Sequence, residues 1–199
     1  MIFEQIPVGN MQNFSYLIGD GESKEAAVID PGWEIEKILK TAKKHNLKVK
    51  HILITHCHYD HIHDIKEIAD ATDAAVYVHN EDKGEIKNKG IEKIRTVSDG
   101  DKISVGKVKI EVLHTPGHTP GSVCYLVENK LITGDTLFVE NIGRTDFPGG
   151  DAKIMRKSLD RLKKLDEKIE VYSGHDYGSI KHSTIGHEKK YNFHMQEKD

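Results

Sequence analysis

Short runs of strand character alternate along the chain with a few longer runs of helical period. Residues 2–7, 13–19 and 25–30 read as strands, the second and third separated by the turn Gly19-Asp20-Gly21. Over residues 34–45 the period changes, and Ile35, Ile38, Leu39 and Ala42 share one buried helical face. An apolar strand at 49–55 comes next. It is followed by a helix over 62–71 with Ile62, Ile65, Ile68 and Ala69 on one side, and by a strand at 74–79. The charged stretch 81–94 shows no clear period and reads as helical or irregular. Strands resume at 102–104, 107–113, 122–127 and 130–133. A helix over 152–165 turns Met155, Leu159 and Leu162 inward, a strand lies at 169–172, and a short helix at 185–191 closes the pattern.

Strands outnumber helices, and the helices fall between groups of strands rather than after each one. The pattern predicts an α+β chain in which two mixed β-sheets pack together with helices on the outer faces, not a doubly wound parallel sheet. No repeat, low-complexity tract or linker divides it, so residues 1–199 are expected to form a single domain. The polar clusters sit directly after strand ends, which places reactive side chains on loops along one rim of the sheets.

Composition narrows the function without choosing it. Apolar residues make up 37% and charged residues 31%, as in an ordinary globular protein. The net charge of −3 has no concentrated sign, so neither nucleic acid nor membrane is expected as a partner. Cys57 and Cys124 are too few for a disulfide framework. Residues 1–10 lack a basic region followed by an apolar run, and Ile52-Leu53-Ile54 is far short of a membrane span, so a reducing, cytoplasmic setting is expected. The 13 histidines are the one compositional oddity.

Their positions carry the chemistry. His56, His58, Asp60 and His61 lie within the run Thr55-His56-Cys57-His58-Tyr59-Asp60-His61, at the end of an apolar strand. If that strand continues, His56 and His58 point to the same side. Imidazole and carboxylate side chains at this density suit a divalent transition metal. Three further candidates also follow strands: His118 within a loop of glycines and prolines, Asp135 after Leu131-Ile132-Thr133-Gly134, and His175 in Gly174-His175-Asp176. Together the seven are enough for two metals sharing a carboxylate. Cys57, on the other side of the extended segment, is expected to be buried, as is Cys124. His63, His79, His114 and His182 have no spacing that recruits them.

On these residues the chain resembles the metallo-β-lactamase superfamily, whose fold is a four-layer αββα sandwich, and the resemblance runs from the first strands to about Tyr191. It implies that His56, His58 and His118 hold one metal, that Asp60, His61 and His175 hold a second, and that Asp135 bridges them. Zinc is the first expectation, with iron or manganese also admitted by such ligands. Gly134-Asp135-Thr136-Leu137-Phe138 and Gly143-Arg144-Thr145-Asp146-Phe147 resemble the branch holding glyoxalase II and the persulfide dioxygenases, which act on small thiol-linked substrates. The resemblance thus implies hydrolysis of a thioester such as an acyl-glutathione by a water shared between two metals. Asp60 and Asp135 would be catalytic, and Arg144 would grip a substrate carboxylate. Tyr177 would border the pocket.

Two other readings stay open. One is a mono-iron persulfide dioxygenase using His56, His118 and Asp135; the other is a non-catalytic, metal-stabilised binding module. The sequence departs from the branch in two places. Only 24 residues follow His175, too few for the helical domain with which glyoxalase II holds glutathione. His63-Asp64 also stands where many relatives have two glycines.

Overall fold

The computed structural model describes residues 1–196. Strands β1 (Ile2–Val8), β2 (Asn13–Gly19) and β3 (Glu25–Ile29) pair antiparallel in chain order. Helix α1 (Ile35–Lys44) carries the chain across that sheet, and β4 (Lys48–Leu53) returns parallel to β3. The one-turn helix α2 (Tyr59–Ile62) and α3 (Ile65–Thr72) lead to β5 (Ala75–His79), and α4 (Lys83–Asn88) leads to β6 (Ile94–Val97), each new strand parallel to the one before. These six strands form one sheet in chain order.

The second sheet begins with the meander β7 (Lys102–Val105), β8 (Val108–His114), β9 (Val123–Val127) and β10 (Lys130–Gly134). A small hairpin, β11 (Leu137–Phe138) and β12 (Asn141–Ile142), and helix α5 (Ala152–Leu162) interrupt it. Strand β13 (Glu170–Ser173) then lies parallel to β10, β14 (Ser183–Thr184) covers its edge, and α6 (Ile185–Tyr191) follows. The strand order is β14-β13-β10-β9-β8-β7.

The two-residue alternation of each strand separates three apolar layers. Phe14, Tyr16, Ile18, Ala27 and Ile29 of the first sheet meet Ile110, Val112, Val123, Tyr125 and Val127 of the second in a central core. The opposite face of the first sheet, with Leu17, Ala26 and Val28, packs on Ile35, Ile38 and Ala42 of α1 and on Ile65 and Ile68 of α3. Cys124 and Leu131 of the second sheet pack on Met155, Leu159 and Leu162 of α5 and Ile185 of α6. This is the αββα order of layers expected from the sequence.

The differences are local, and each has a physical cause. The helix expected over 62–71 is two helices, because the Asp64 amide leaves the helical ladder to donate to the Gly32 carbonyl at 3.1 Å. Helix α5 is capped by the Asp151 carboxylate, which accepts from the amides of Lys153 and Ile154. It ends at Leu162, where Lys164 and Leu165 donate three residues back rather than four. Strands β6, β11, β12 and β14 lay hidden. The first begins where the charged stretch ends and is only four residues long, and the other three are two residues long, too short for a period.

Among the described residues no helix is long and apolar enough to cross a membrane. Ile38, fully buried between α1 and the first sheet, offers a direct test of this layer. Replacing it by Ala should lower unfolding free energy by about 2–5 kcal/mol, measured by urea denaturation, with little change in the denaturant slope.

Candidate metal centre

Four segments converge on one rim, all of them following strands. β4 runs into His56, β10 ends at Asp135, β13 ends beside His175, and the loop between β8 and β9 supplies His118. His58, Asp60 and His61 come from the loop and turn after β4. All seven of the side chains singled out in the sequence are brought together. His56, His58 and His118 form one group whose ligand atoms lie within 4.8 Å of one another, and Asp60, His61 and His175 form another within the same limit.

Asp135 lies between them. Its Oδ1 is 3.4 Å from His61 Nε2, while its Oδ2 is 3.4 Å from His175 Nε2 and 3.6 Å from His118 Nε2. His56 Nε2 is 4.0 Å from the same Oδ2. Asp60 Oδ2 is 3.4 Å from His61 Nε2 and 3.3 Å from His175 Nε2. Gly174 permits this closeness, since a Cβ there would stand 2.3 Å from Asp135 Oδ1.

Outer contacts aim the imidazoles inward. Asp30 Oδ2 takes His61 Nδ1 at 3.1 Å, the Arg144 carbonyl takes His118 Nδ1 at 2.7 Å, and the Met11 carbonyl takes His175 Nδ1 at 2.9 Å. In each ring the remaining Nε2 faces the centre, the nitrogen that a metal ligand presents once it carries no proton. The Asn13 amide donates to Asp60 Oδ2 at 2.8 Å, and Asp30 also accepts from the amide and hydroxyl of Thr55.

The donor set fits divalent cations. His56 Nε2 and Asp135 Oδ1 are buried and have no hydrogen-bond partner, an expensive condition for polar atoms that a cation relieves. His58 Nδ1 and His118 Nε2 face each other at 2.7 Å, as do His61 Nε2 and His175 Nε2 at 3.2 Å. Ring nitrogens converging at such distances are what bound cations would separate and satisfy.

A family model described as Metallo-beta-lactamase superfamily matches residues 8–175. The chain belongs to the metallo-beta-lactamase superfamily. It is 32% identical to the Bacillus subtilis protein named Probable polyketide biosynthesis zinc-dependent hydrolase PksB, over 92% of this chain and 82% of that one. The crystal structure of ETHE1 from Myxococcus xanthus is similar at a TM-score of 0.86 and 34% identity, covering 97% of this chain and 84% of that one. The crystal structure of TTHA1623 in a di-iron-bound form is similar at a TM-score of 0.83 and 32% identity, over 96% and 98% of the two chains.

In this member of the superfamily, the carboxylates and imidazoles of the centre shift one another's proton affinity. Burial pushes His56 well below the usual imidazole range, helped by the charges of neighbouring histidines, and burial likewise lowers His58. Burial opposes charge on His61 too, but Asp135 and Asp30 overcome it and raise that imidazole. His175 is raised to about 10 despite its burial, through hydrogen bonds to Asp135 and Asp60. Burial penalises the carboxylates of Asp60 and Asp135, yet these same histidines hold both below the ordinary range.

The other singled-out residues lie elsewhere. Arg144 is exposed at the mouth, its guanidinium forked onto Asp146 at 2.9 and 2.7 Å and stacked 4.2 Å over Phe147. The Tyr177 ring stacks on His175 at 4.5 Å, and its hydroxyl donates to the Met11 carbonyl. His63 stacks on Trp33 at 4.1 Å and bonds Asp64, so the His63-Asp64 pair fills a surface niche away from the metals. His79 and His114 stack on each other, and His182 stacks on Tyr172. Cys124 is buried, its thiol pushed up to about 11 by burial. Cys57 is half-buried rather than buried, because it lines a surface groove together with Tyr59, Ile62 and Asp82.

Asn13, Asp30 and the backbone carbonyls of Met11 and Arg144 were missed by sequence reasoning. Asp30 had a signal: it too is a carboxylate placed directly after a strand. Because a metal requires a neutral His175, metal uptake at pH 8 should release at least one proton per chain. Calorimetric titrations in buffers of different ionisation heat would measure it, and affinity should fall as pH is lowered.

Proposed function

We propose that this chain is a two-metal hydrolase acting on a small thioester of the acyl-glutathione-like type. The observation that carries the reading is the position of Asp135, whose two oxygens reach both ligand groups at 3.4–3.6 Å. A carboxylate so placed can be shared by two cations, one in each ligand group. His56, His58 and His118 would hold the first cation, Asp60, His61 and His175 the second, with Asp135 shared. The zinc-dependent hydrolase relative supports zinc and hydrolysis, while the di-iron relative shows that iron suits a similar chain.

When bound, two divalent cations supply a Lewis acid for the acyl carbonyl and lower the pKa of a shared water to about 7. The chain's own residues do the rest. Asp60, fixed by Asn13 at 2.8 Å, presents a carboxylate at the centre that accepts a hydrogen bond from the attacking water and orients it. Asp30 and the carbonyls of Met11 and Arg144 keep three imidazoles from rotating. The cavity above them, about 510 Å³, is walled by Met11, Tyr59, Phe138, Phe147 and Tyr177, an apolar lining suited to excluding water around an acyl or thiol arm. Arg144 at its edge would exchange Asp146 for a substrate carboxylate, a bidentate contact of the same geometry.

A second reading is sulfur oxygenation with one iron on His56, His118 and Asp135. The likeness to ETHE1 supports weighing it, whereas the di-iron form of TTHA1623 carries two metals, as the first reading requires.

Chain reconstituted anaerobically with zinc and iron both offered should retain two metals and hydrolyse an acyl-glutathione. One iron per chain, with oxygen uptake on a persulfide, would replace the first reading by the second. Replacing Asp135 by Ala should lower kcat/KM beyond the roughly 10–100-fold typical of losing an outer partner of a ligand. His61→Ala should do the same to the hydrolase but largely spare a one-iron oxygenase. Replacing Arg144 by Ala should raise KM for a carboxylate-bearing thioester while leaving kcat within about threefold, the pattern of lost uniform binding.

A further inference from the structure

The geometry points to Asp82 as a positioning residue that sets the spacing of the first metal site. It ends the short turn Asn80–Asp82 after β5, outside every ligand motif, and is buried. Its Oδ2 accepts from the amide of Cys57 at 3.0 Å and from the hydroxyl of Thr119 at 2.8 Å, and its Oδ1 accepts from the amide of Gly121 at 2.8 Å. Cys57 stands between His56 and His58, and Thr119 follows His118. One carboxylate therefore grips both loops that carry the three histidines of this site, one loop from each sheet.

The sequence around Asp82 is fitted to that grip. A Cβ at position 121 would stand 2.4 Å from Asp82 Oδ1, so glycine lets the loop close on the carboxylate. Thr119 is further fixed by Ser122, whose hydroxyl lies 2.8 Å from its own and accepts from its amide at 3.0 Å. All three donors to Asp82 are neutral, and no cation is paired with it among its contacts. A buried carboxylate without a counter-ion is costly unless its acceptor capacity is used. An amide could not replace it, since Asn offers one acceptor oxygen and would aim an NH₂ at another donor.

The second site has its own supports. Asp60 is held by Asn13, His61 by Asp30 and His175 by the Met11 carbonyl, none of which contacts Asp82. Loosening Asp82 should therefore weaken one site and leave the other.

The inference rests on the two-metal reading only for the existence of the first site. The test is zinc affinity, read by competition with a chromophoric chelator, in full-length chain carrying His61→Ala, which keeps the first site, or His58→Ala, which keeps the second. Adding Asp82→Asn should weaken binding about 10–100-fold in the first background, with far-ultraviolet circular dichroism unchanged, and by less than about threefold in the second. Thr119→Val, which removes one of the three bonds and preserves volume, should shift affinity in the same direction by less, and it carries the test if the Asp82 variants do not fold. Equal weakening of both sites, or of neither, would overturn the positioning role while leaving the hydrolase reading intact. An otherwise unaltered chain that binds no metal would overturn both.

Discussion

Two carboxylates and five imidazoles meet in a buried seam between two sheets, and their mutual proximity is the constraint to which the surrounding structure answers. Packed this closely, like groups repel and isolated charges are penalised by burial, so the cluster persists only if its lone pairs converge on a shared positive charge. A proton on His175, whose imidazole is raised to about 10, meets that need in part. Divalent cations meet it for every inward atom, including His56 Nε2 and Asp135 Oδ1, which have no partner of their own.

The layered architecture makes such crowding possible. Each ligand follows a strand or strand-bounded loop whose backbone is fixed by the sheet, so little conformational freedom remains to be lost when the side chains converge. Around the ligands runs a ring of fixed acceptors: Asp30, Asp82, and the carbonyls of Met11 and Arg144. The Arg144 carbonyl has a double role. The loop that presents its guanidinium and Phe147 to the cavity is the same loop that orients His118, so the wall of the cavity and the ligand geometry are mechanically joined.

Much of this was legible in the amino-acid order, for reasons visible in particular residues. Near-continuous apolar runs in β3 and β9 mark strands buried on both faces, alternation in β8 marks one buried face, and Ile35, Ile38 and Ala42 mark a helix with one apolar face, so the layers could be read. The seven ligand-type residues stood out because each closes or follows a strand. Partners that act through the backbone left no trace: a carbonyl at position 11 or 144 has the same chemistry whatever residue bears it. Asp82 was hidden in a charged, aperiodic stretch, and two-residue strands such as β14 fall below any detectable period. The division of the helix after His61 depended on an amide reaching Gly32, a contact between segments some thirty residues apart.

The ligands are also far apart in the order in which the chain is made. His61 precedes His175 by 114 residues. At about 5–20 residues per second of synthesis, the run from His56 to His61 is made roughly 6–23 s before the last ligand. During that interval four ligand-type side chains stand exposed without Asp135 or His175 to complete a site. The first ligand group is complete only once His118 has been made and the second only once His175 has, so the two groups become available in a fixed order.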